Sequence, residues 1–282
     1  MTPGRALVAI VLGLAALISQ PARVIATSAG WAEVHGSKMR LVGGRPSAGA
    51  THYYAGLEIA LADGWKTYWR MPGDSGVPPT FDWNGSRNLE SASVLYPAPS
   101  RMPEAGGEAV GYKGAVTFPI AVTAKDPKAP VSLRLAVEFG ICREICIPAM
   151  LNLSLELAPG TTRGIPTTVS DSLQRVPRAH SNRQVNDPEL KQVRLVGGRQ
   201  PVRLEIEGVF KGGAATADVF VEAPEGLYVP MLKKQASSSI SGGKVQFETE
   251  LSPDMVKDLK GKTLVLTLVD DAGASEARWT VR

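Results

Sequence analysis

The chain has 282 residues, 44% hydrophobic and 21% charged, which is a globular composition long enough for two ordinary domains. Its formal net charge is +4 and the basic residues are scattered. Without a concentrated basic stripe, no nucleic-acid partner is expected.

The first stretch, MTPGRALVAIVLGLAALISQPARVIATSAG, has one early positive charge at Arg5, an apolar run from Ala6 to Ile18, and small residues after it. This is the layout of a cleaved signal peptide over residues 1–29. The run of about 13 residues falls short of the ~20 that span a bilayer. No later stretch approaches 18 apolar residues, which predicts a soluble mature chain exported to a compartment where disulfides persist, read here as a bacterial periplasm.

From there alternation dominates and helical periodicity is scarce. YYAGLEIAL and AVTFPIAV read as strands. VSLRLAVEF puts Val131, Leu133, Leu135, Val137 and Phe139 on one face, and LNLSLEL repeats the pattern with Leu151, Leu153, Leu155 and Leu157. After a Pro-, Thr-, Ser- and Arg-rich lapse, PVRLEIEGVF, TADVFVEAP, GKVQFETEL and KTLVLTLVD continue it. Turn signals such as Ala62-Asp63-Gly64 and Asn84-Gly85 separate the runs. The fold class is therefore all-β, with two sandwiches: residues 30–160 carry both cysteines, 161–199 form a linker with a short helix over Ser170–Val176 capped by Ser170 or Asp171, and 200–282 form a second sandwich. The last has neither Cys nor His, so spacing or docking is its expected role. RLVGGR occurs at 40–45 and 194–199, a candidate internal repeat ahead of each sandwich.

Between Trp65 and Trp83 lie much of the chain's aromatic content and several Pro and Gly. The preferred reading is a core anchor, with Trp65 or Trp69 between sheets; the alternative is an aromatic cover over the cysteines. Arg70 and Asp74 are placed to pair across this loop, and Tyr112 to neighbour the cysteines.

Cys142 and Cys146 sit in VEFGICREICIPAM, between two strand runs that read as a hairpin. Residues four apart in a strand are separated by ~13 Å, whereas a disulfide needs ~4.4–6.8 Å between Cα atoms. A bonded pair therefore requires a turn, and Gly140 and Pro148 bracket one. As a staple, a five-residue loop contributes roughly 2 kcal/mol, little for a domain with its own core. As a metal site, two thiolates are too few for zinc, and His35, His52 and His180 show no ligand spacing; Cu(I), with Met150 nearby, stays open. As a redox pair, close spacing lets one thiolate resolve a mixed disulfide formed by the other. Arg143 favours a thiolate and Glu144 opposes it, and no helix N-terminus activates Cys142. Such a pair would exchange with a better-activated partner. No P-loop, catalytic Ser-His-Asp arrangement or cofactor motif is present.

GWKTYWRMPGDSGVPPTFDW (64–83), the following YPAPSRM and GY, and GICREICIPAM together resemble the N-terminal periplasmic domain of the thiol:disulfide interchange protein DsbD and related copper-sensitivity suppressor proteins. The resemblance covers roughly residues 50–157, and more weakly the late β domain. It implies immunoglobulin-like domains and a thiol-disulfide oxidoreductase of the protein-disulfide reductase type, with Cys142 and Cys146 as the catalytic pair cycling between disulfide and dithiol. It also implies partners: thioredoxin-like periplasmic proteins, and acceptors in disulfide isomerisation, cytochrome c biogenesis or copper tolerance. Two departures stand out. The cysteines are closer together than in the best-known member, and no transmembrane or thioredoxin-like part is present, so a separate membrane-embedded electron donor is expected.

Overall fold

The computed structural model describes residues 29–44, 52–104, 107–159, 164–197, 201–235 and 243–282. The expected leader falls outside them except for Ala29. The first half comprises β1 (Ala32–Val34), β2 (Ser37–Gly44), β3 (His52–Ala60), β4 (Lys66–Gly73), β5 (Thr80–Asp82), β6 (Leu89–Val94), β7 (Ser100–Glu104), β8 (Gly107–Lys113), β9 (Ala115–Ala124), β10 (Val131–Cys142) and β11 (Cys146–Leu157). They build a five-stranded sheet, β1-β2-β3-β9-β6, and a six-stranded sheet, β11-β10-β4-β8-β7, with β5 added beside β10.

The period-two reading explains how these sheets face each other. The odd residues of β10, from Val131 to Ile141, are at most 3% exposed and meet Leu41, Leu57, Phe118 and Ile120 of the other sheet in one apolar core. Removing each such side chain from water contributes on the order of 1.5–3 kcal/mol. The even residues of β10 and β11 are left on the opposite, outer face, and that face carries both cysteines.

The second half comprises α1 (Thr167–Gln174), β12 (Arg178–Ala179), β13 (Glu189–Val196), β14 (Val202–Val209), β15 (Asp218–Glu222), β16 (Lys233–Lys234), β17 (Lys244–Leu251), α2 (Pro253–Leu259), β18 (Thr263–Asp270) and β19 (Gly273–Thr280). Two four-stranded sheets result, β12-β19-β18-β15 and β13-β14-β17-β16, around a core of Leu204, Ile206, Phe247, Leu266 and Leu268. Phe220, Val269 and Ala274 face the other way and belong to the first core. The β15–β18–β19 surface is thus covered on both sides, which is why VFV and LVLTLV read as continuous apolar runs.

The segment 161–199 differs from the expected linker. Its helix starts earlier, at Thr167, and Pro166 at its N-cap gives no side-chain cap bond. Packing holds it instead: Ser172 Oγ donates to Thr117 O, Thr168 Oγ1 donates to Glu58 Oε1, and Val169 is fully buried where a Cβ on Gly56 would intrude. β13 also lies within the segment and pairs with β14. A register shift between Leu190 and Gln192 interrupts its alternation, which hides the strand in the sequence. Over their described residues, the two RLVGGR copies lie not ahead of the sandwiches but in strands within them, the first on β2, second in its sheet, and the second on β13, an edge strand. Arg40 on β2 pairs with Glu58 across the strand at 2.6 Å, and Arg194 on β13 pairs with Glu205 at 2.8 Å by the same Nε–Oε2 contact. No described helix is long and apolar enough to cross a membrane.

Candidate functional site

β10 and β11 pair in unbroken register from Val131↔Leu157 to Cys142↔Cys146. The cysteines are therefore the closing pair of the ladder, and residues 143–145 make the turn, with Arg143 N donating to Ile145 O at 3.2 Å. Their Cα atoms stand 4.1 Å apart and their sulfurs are joined as a disulfide. The strands run further than expected. Gly140 and Pro148 do not sit in a turn; they face each other inside the ladder. Pro148 is accommodated because β11 is an edge strand, where a missing N–H need not break a pairing. Gly140 is accommodated for a different reason: a Cβ there would lie 3.2 Å from Tyr68 Cε2. Its lack of a side chain leaves room for that ring.

The two sulfurs differ in exposure. Cys142 is 1% exposed, in a small cluster with Tyr68, Met102 and Ala109, whereas Cys146 is exposed beside Ile145, itself 71% exposed. Neighbouring β4 enters the ladder through Cys142↔Lys66, and the alternation along it carries Tyr68 onto the same outer face. Tyr68 Oη lies 2.8 Å from Cys142 Sγ, 3.0 Å from Cys146 Sγ and 3.3 Å from Glu104 Oε1. Thr67 Oγ1 donates to Gly140 O at 2.9 Å, fixing β4 against β10.

Charge around the sulfurs is nearly balanced. Lys66 Nζ sits 2.6 Å from Glu104 Oε1, and Ser75 Oγ donates to Glu104 Oε2. Burial alone would raise the Glu104 carboxyl, but the hydrogen bonds from Lys66 and Ser75 and the charge of Lys66 outweigh it and hold it below its ordinary value. The Tyr68 phenol is pushed up to about 12, first by burial and then by the Glu104 charge, so it keeps its proton through neutral pH. A phenol has one hydrogen to donate. With a disulfide, whose sulfurs are weak acceptors, Glu104 competes well for it; a thiolate at Cys142 would be a far better acceptor.

A loop covers this arrangement. It runs from Gly73, the last residue of β4, to Val77, with Gly73 and Gly76 at φ +87° and +114°, a region that side chains rarely adopt. A Cβ on Gly76 would overlap the Tyr68 ring, and Val77 packs near Gly140. The stretch 65–83 therefore serves both readings. Trp69 is fully buried as a core anchor and Tyr68 covers the cysteines, while Phe81 packs edge-on against Tyr96 and Phe118.

Other expectations are corrected. Tyr112 points away from the cysteines, donating to Pro97 O at 2.8 Å and packing against Phe118. Arg70 does not pair with Asp74; it binds Glu222 and Glu276, and Asp74 accepts from the Tyr228 hydroxyl. Met150 faces outward on β11 but four residues from Cys146, ~13 Å along an extended strand, too far for one coordination sphere. Among the described residues no group of three or more His, Cys, Asp or Glu could hold a metal. Sequence reasoning missed Lys66, Ser75 and Glu104. The alternation that places Lys66 and Tyr68 on one face was legible, but Glu104 is brought in by β7 and β8, a pairing without a distinctive pattern.

Residues 45–158 match the family model described as the N-terminal domain of the thiol:disulfide interchange protein DsbD. Among solved structures, the chain is similar to the N-terminal periplasmic domain of ScsB from Proteus mirabilis, with 21% identity and a TM-score of 0.67 over 90% of this chain and 98% of that one. That likeness extends over both sandwiches and shows the immunoglobulin-like fold. Among curated proteins no sequence matches.

Proposed function

We propose that this chain, which carries a DsbD N-terminal-type domain over residues 45–158, is a periplasmic thiol–disulfide exchange protein working through Cys142 and Cys146. The observation that carries the reading is the asymmetry of the disulfide: one sulfur exposed at a hairpin tip, the other buried under a phenol. A purely structural bridge at the end of an already continuous ladder closes only a five-residue loop and adds roughly 2 kcal/mol.

An incoming donor thiolate attacks the exposed Cys146 sulfur. A bond forms between donor and Cys146 as the Cys142–Cys146 bond breaks, and the electron pair leaves on Cys142 as thiolate. Tyr68 donates to that thiolate, while Lys66, the register partner of Cys142 on β4, is paired with Glu104. The donor's second thiolate then attacks the mixed disulfide and leaves as the donor's own disulfide. Cys146 is released as thiolate, and two protons from solvent complete the dithiol. In the reverse sense, Cys146 attacks an acceptor disulfide and Cys142 resolves the mixed species. The donor is a separate membrane-embedded or thioredoxin-like dithiol, and the acceptors are periplasmic disulfides.

In this reading residues 1–29 are a cleaved export signal, 30–160 the exchange domain, 161–199 a connection and 200–282 the second domain, with β13 as an added strand of the latter. The test is trapping against a thioredoxin-like partner. Cys142→Ala is expected to accumulate a mixed disulfide through Cys146, and Cys146→Ala little. Absence of any mixed disulfide, together with a reduction potential below about −300 mV, would mark a staple and end the proposal.

A further inference from the structure

Three segments build the surroundings of the sulfurs, and each is tied to the second sandwich. The first is β4. Its register with β8 slips between Tyr68↔Gly111 and Gly73↔Ala109, so the strand leaves the ladder immediately after the residue that touches the cysteines. In that excursion Trp69 lies against Phe220 of β15 with ring centroids 5.7 Å apart. Arg70 stacks 4.5 Å from the Trp69 centroid and grips Glu222 by two hydrogen bonds, 2.8 and 2.7 Å, and Glu276 by one, 2.6 Å. The second segment is the covering loop, where Asp74 accepts from Tyr228 Oη and Ser75, the next residue, donates to Glu104. The third is the β7–β8 hairpin that carries Glu104. Its Arg101 binds Asp218 through two hydrogen bonds, 2.9 and 2.7 Å, and also binds Glu108.

Burial alone would lower the guanidiniums of Arg70 and Arg101, yet their carboxylate partners hold both above the ordinary arginine value. The fork geometry fixes direction as well as distance. Glu104, the hydrogen-bond partner of Tyr68 other than the sulfurs, thus stands three residues from Arg101, and its own partner Ser75 stands next to Asp74.

We propose that the second sandwich is the positioning element of the redox site. Tyr228, Glu222 and Asp218 are its positioning residues: they hold the covering loop and Glu104 so that Tyr68 stays over Cys142. This deepens the exchange reading and rests on it, since a spacer would need no such ties to the segments around one disulfide.

The test uses the full chain in reduced form, with the rate of iodoacetamide alkylation at Cys142 read by mass spectrometry. Tyr228→Phe is expected to raise that rate about fivefold, the factor that one ordinary hydrogen bond represents. Tyr228→Phe combined with Glu222→Gln is expected to raise it further, with the urea midpoint little changed. Unchanged alkylation in both the single and the double variant would overturn the proposal, as would an increase no larger than the gain in global unfolding. The measurement needs no exchange partner, so failure of the exchange reading registers separately, in the trapping experiment.

Discussion

The Tyr68 hydroxyl stands 2.8 Å from Cys142 Sγ, on the fully buried side of a disulfide whose other sulfur is exposed. The same hydroxyl lies 3.0 Å from Cys146 Sγ, so it is burial that sets the two sulfurs apart. The exposed sulfur can be reached, and the buried one can be left as a thiolate because a neutral donor is waiting.

Tyr68→Phe removes the donor and keeps the ring. A hydrogen bond to a charged group is worth about 1.5–3 kcal/mol, and 1.36 kcal/mol corresponds to one pKa unit. The Cys142 thiol of the reduced variant is therefore expected to titrate about one to two units higher than in the wild type. Thiolate absorbance followed against pH measures this, and identical titrations would mean that the phenol serves only Glu104.

Gly76→Ala is expected to disturb the same contact from above. The added methyl overlaps the Tyr68 ring, and the backbone there sits at φ +114°, so strain and overlap act together. A loss of about 1–3 kcal/mol is expected in urea unfolding, with faster alkylation at Cys142 in the reduced protein. A variant as stable as the wild type would place the loop elsewhere in solution.

Reducing the disulfide is expected to leave the fold standing. Twelve residue pairs already zip β10 to β11 ahead of the turn, and closing a five-residue loop contributes at most about 2 kcal/mol. Urea unfolding with and without reductant should differ by no more than that. Loss of the native circular dichroism spectrum on reduction alone would show the bridge to be a structural requirement.

Alkaline pH should weaken the protein in a defined window. Tyr68, Tyr96 and Tyr228 are each pushed up to about 12, in every case chiefly by burial. Unfolded tyrosines lose their protons near 10. The native state thus holds protons that the unfolded chain releases, so this contribution is complete below pH ~10 and lost as pH rises toward ~12. The urea midpoint should fall between about pH 9 and pH 11, and less steeply in Tyr68→Phe. A flat or rising midpoint would contradict the raised phenols.

Much of the fold was legible because a half-buried strand writes its environment every second residue. VSLRLAVEF and LNLSLEL predict their inward faces by this rule, and the structure buries Leu133, Leu135, Leu153 and Leu155 accordingly. β13 was not legible, because its bulge breaks the alternation. The length of the cysteine hairpin was misread for another reason. Gly140 and Pro148 signal a turn in local sequence, whereas their tolerance in a ladder depends on a neighbouring ring and on an edge position.

By itself, then, the sequence determined an all-β chain and two cysteines that must lie at a turn if bonded. These are local matters, set by alternation and chain reach. Only the tertiary structure decided which sulfur is buried, which groups address it, and that the second sandwich reaches those groups through Arg70, Arg101 and Tyr228. Those outcomes depend on residues 36 to 206 positions apart meeting in space, and no local pattern records such meetings.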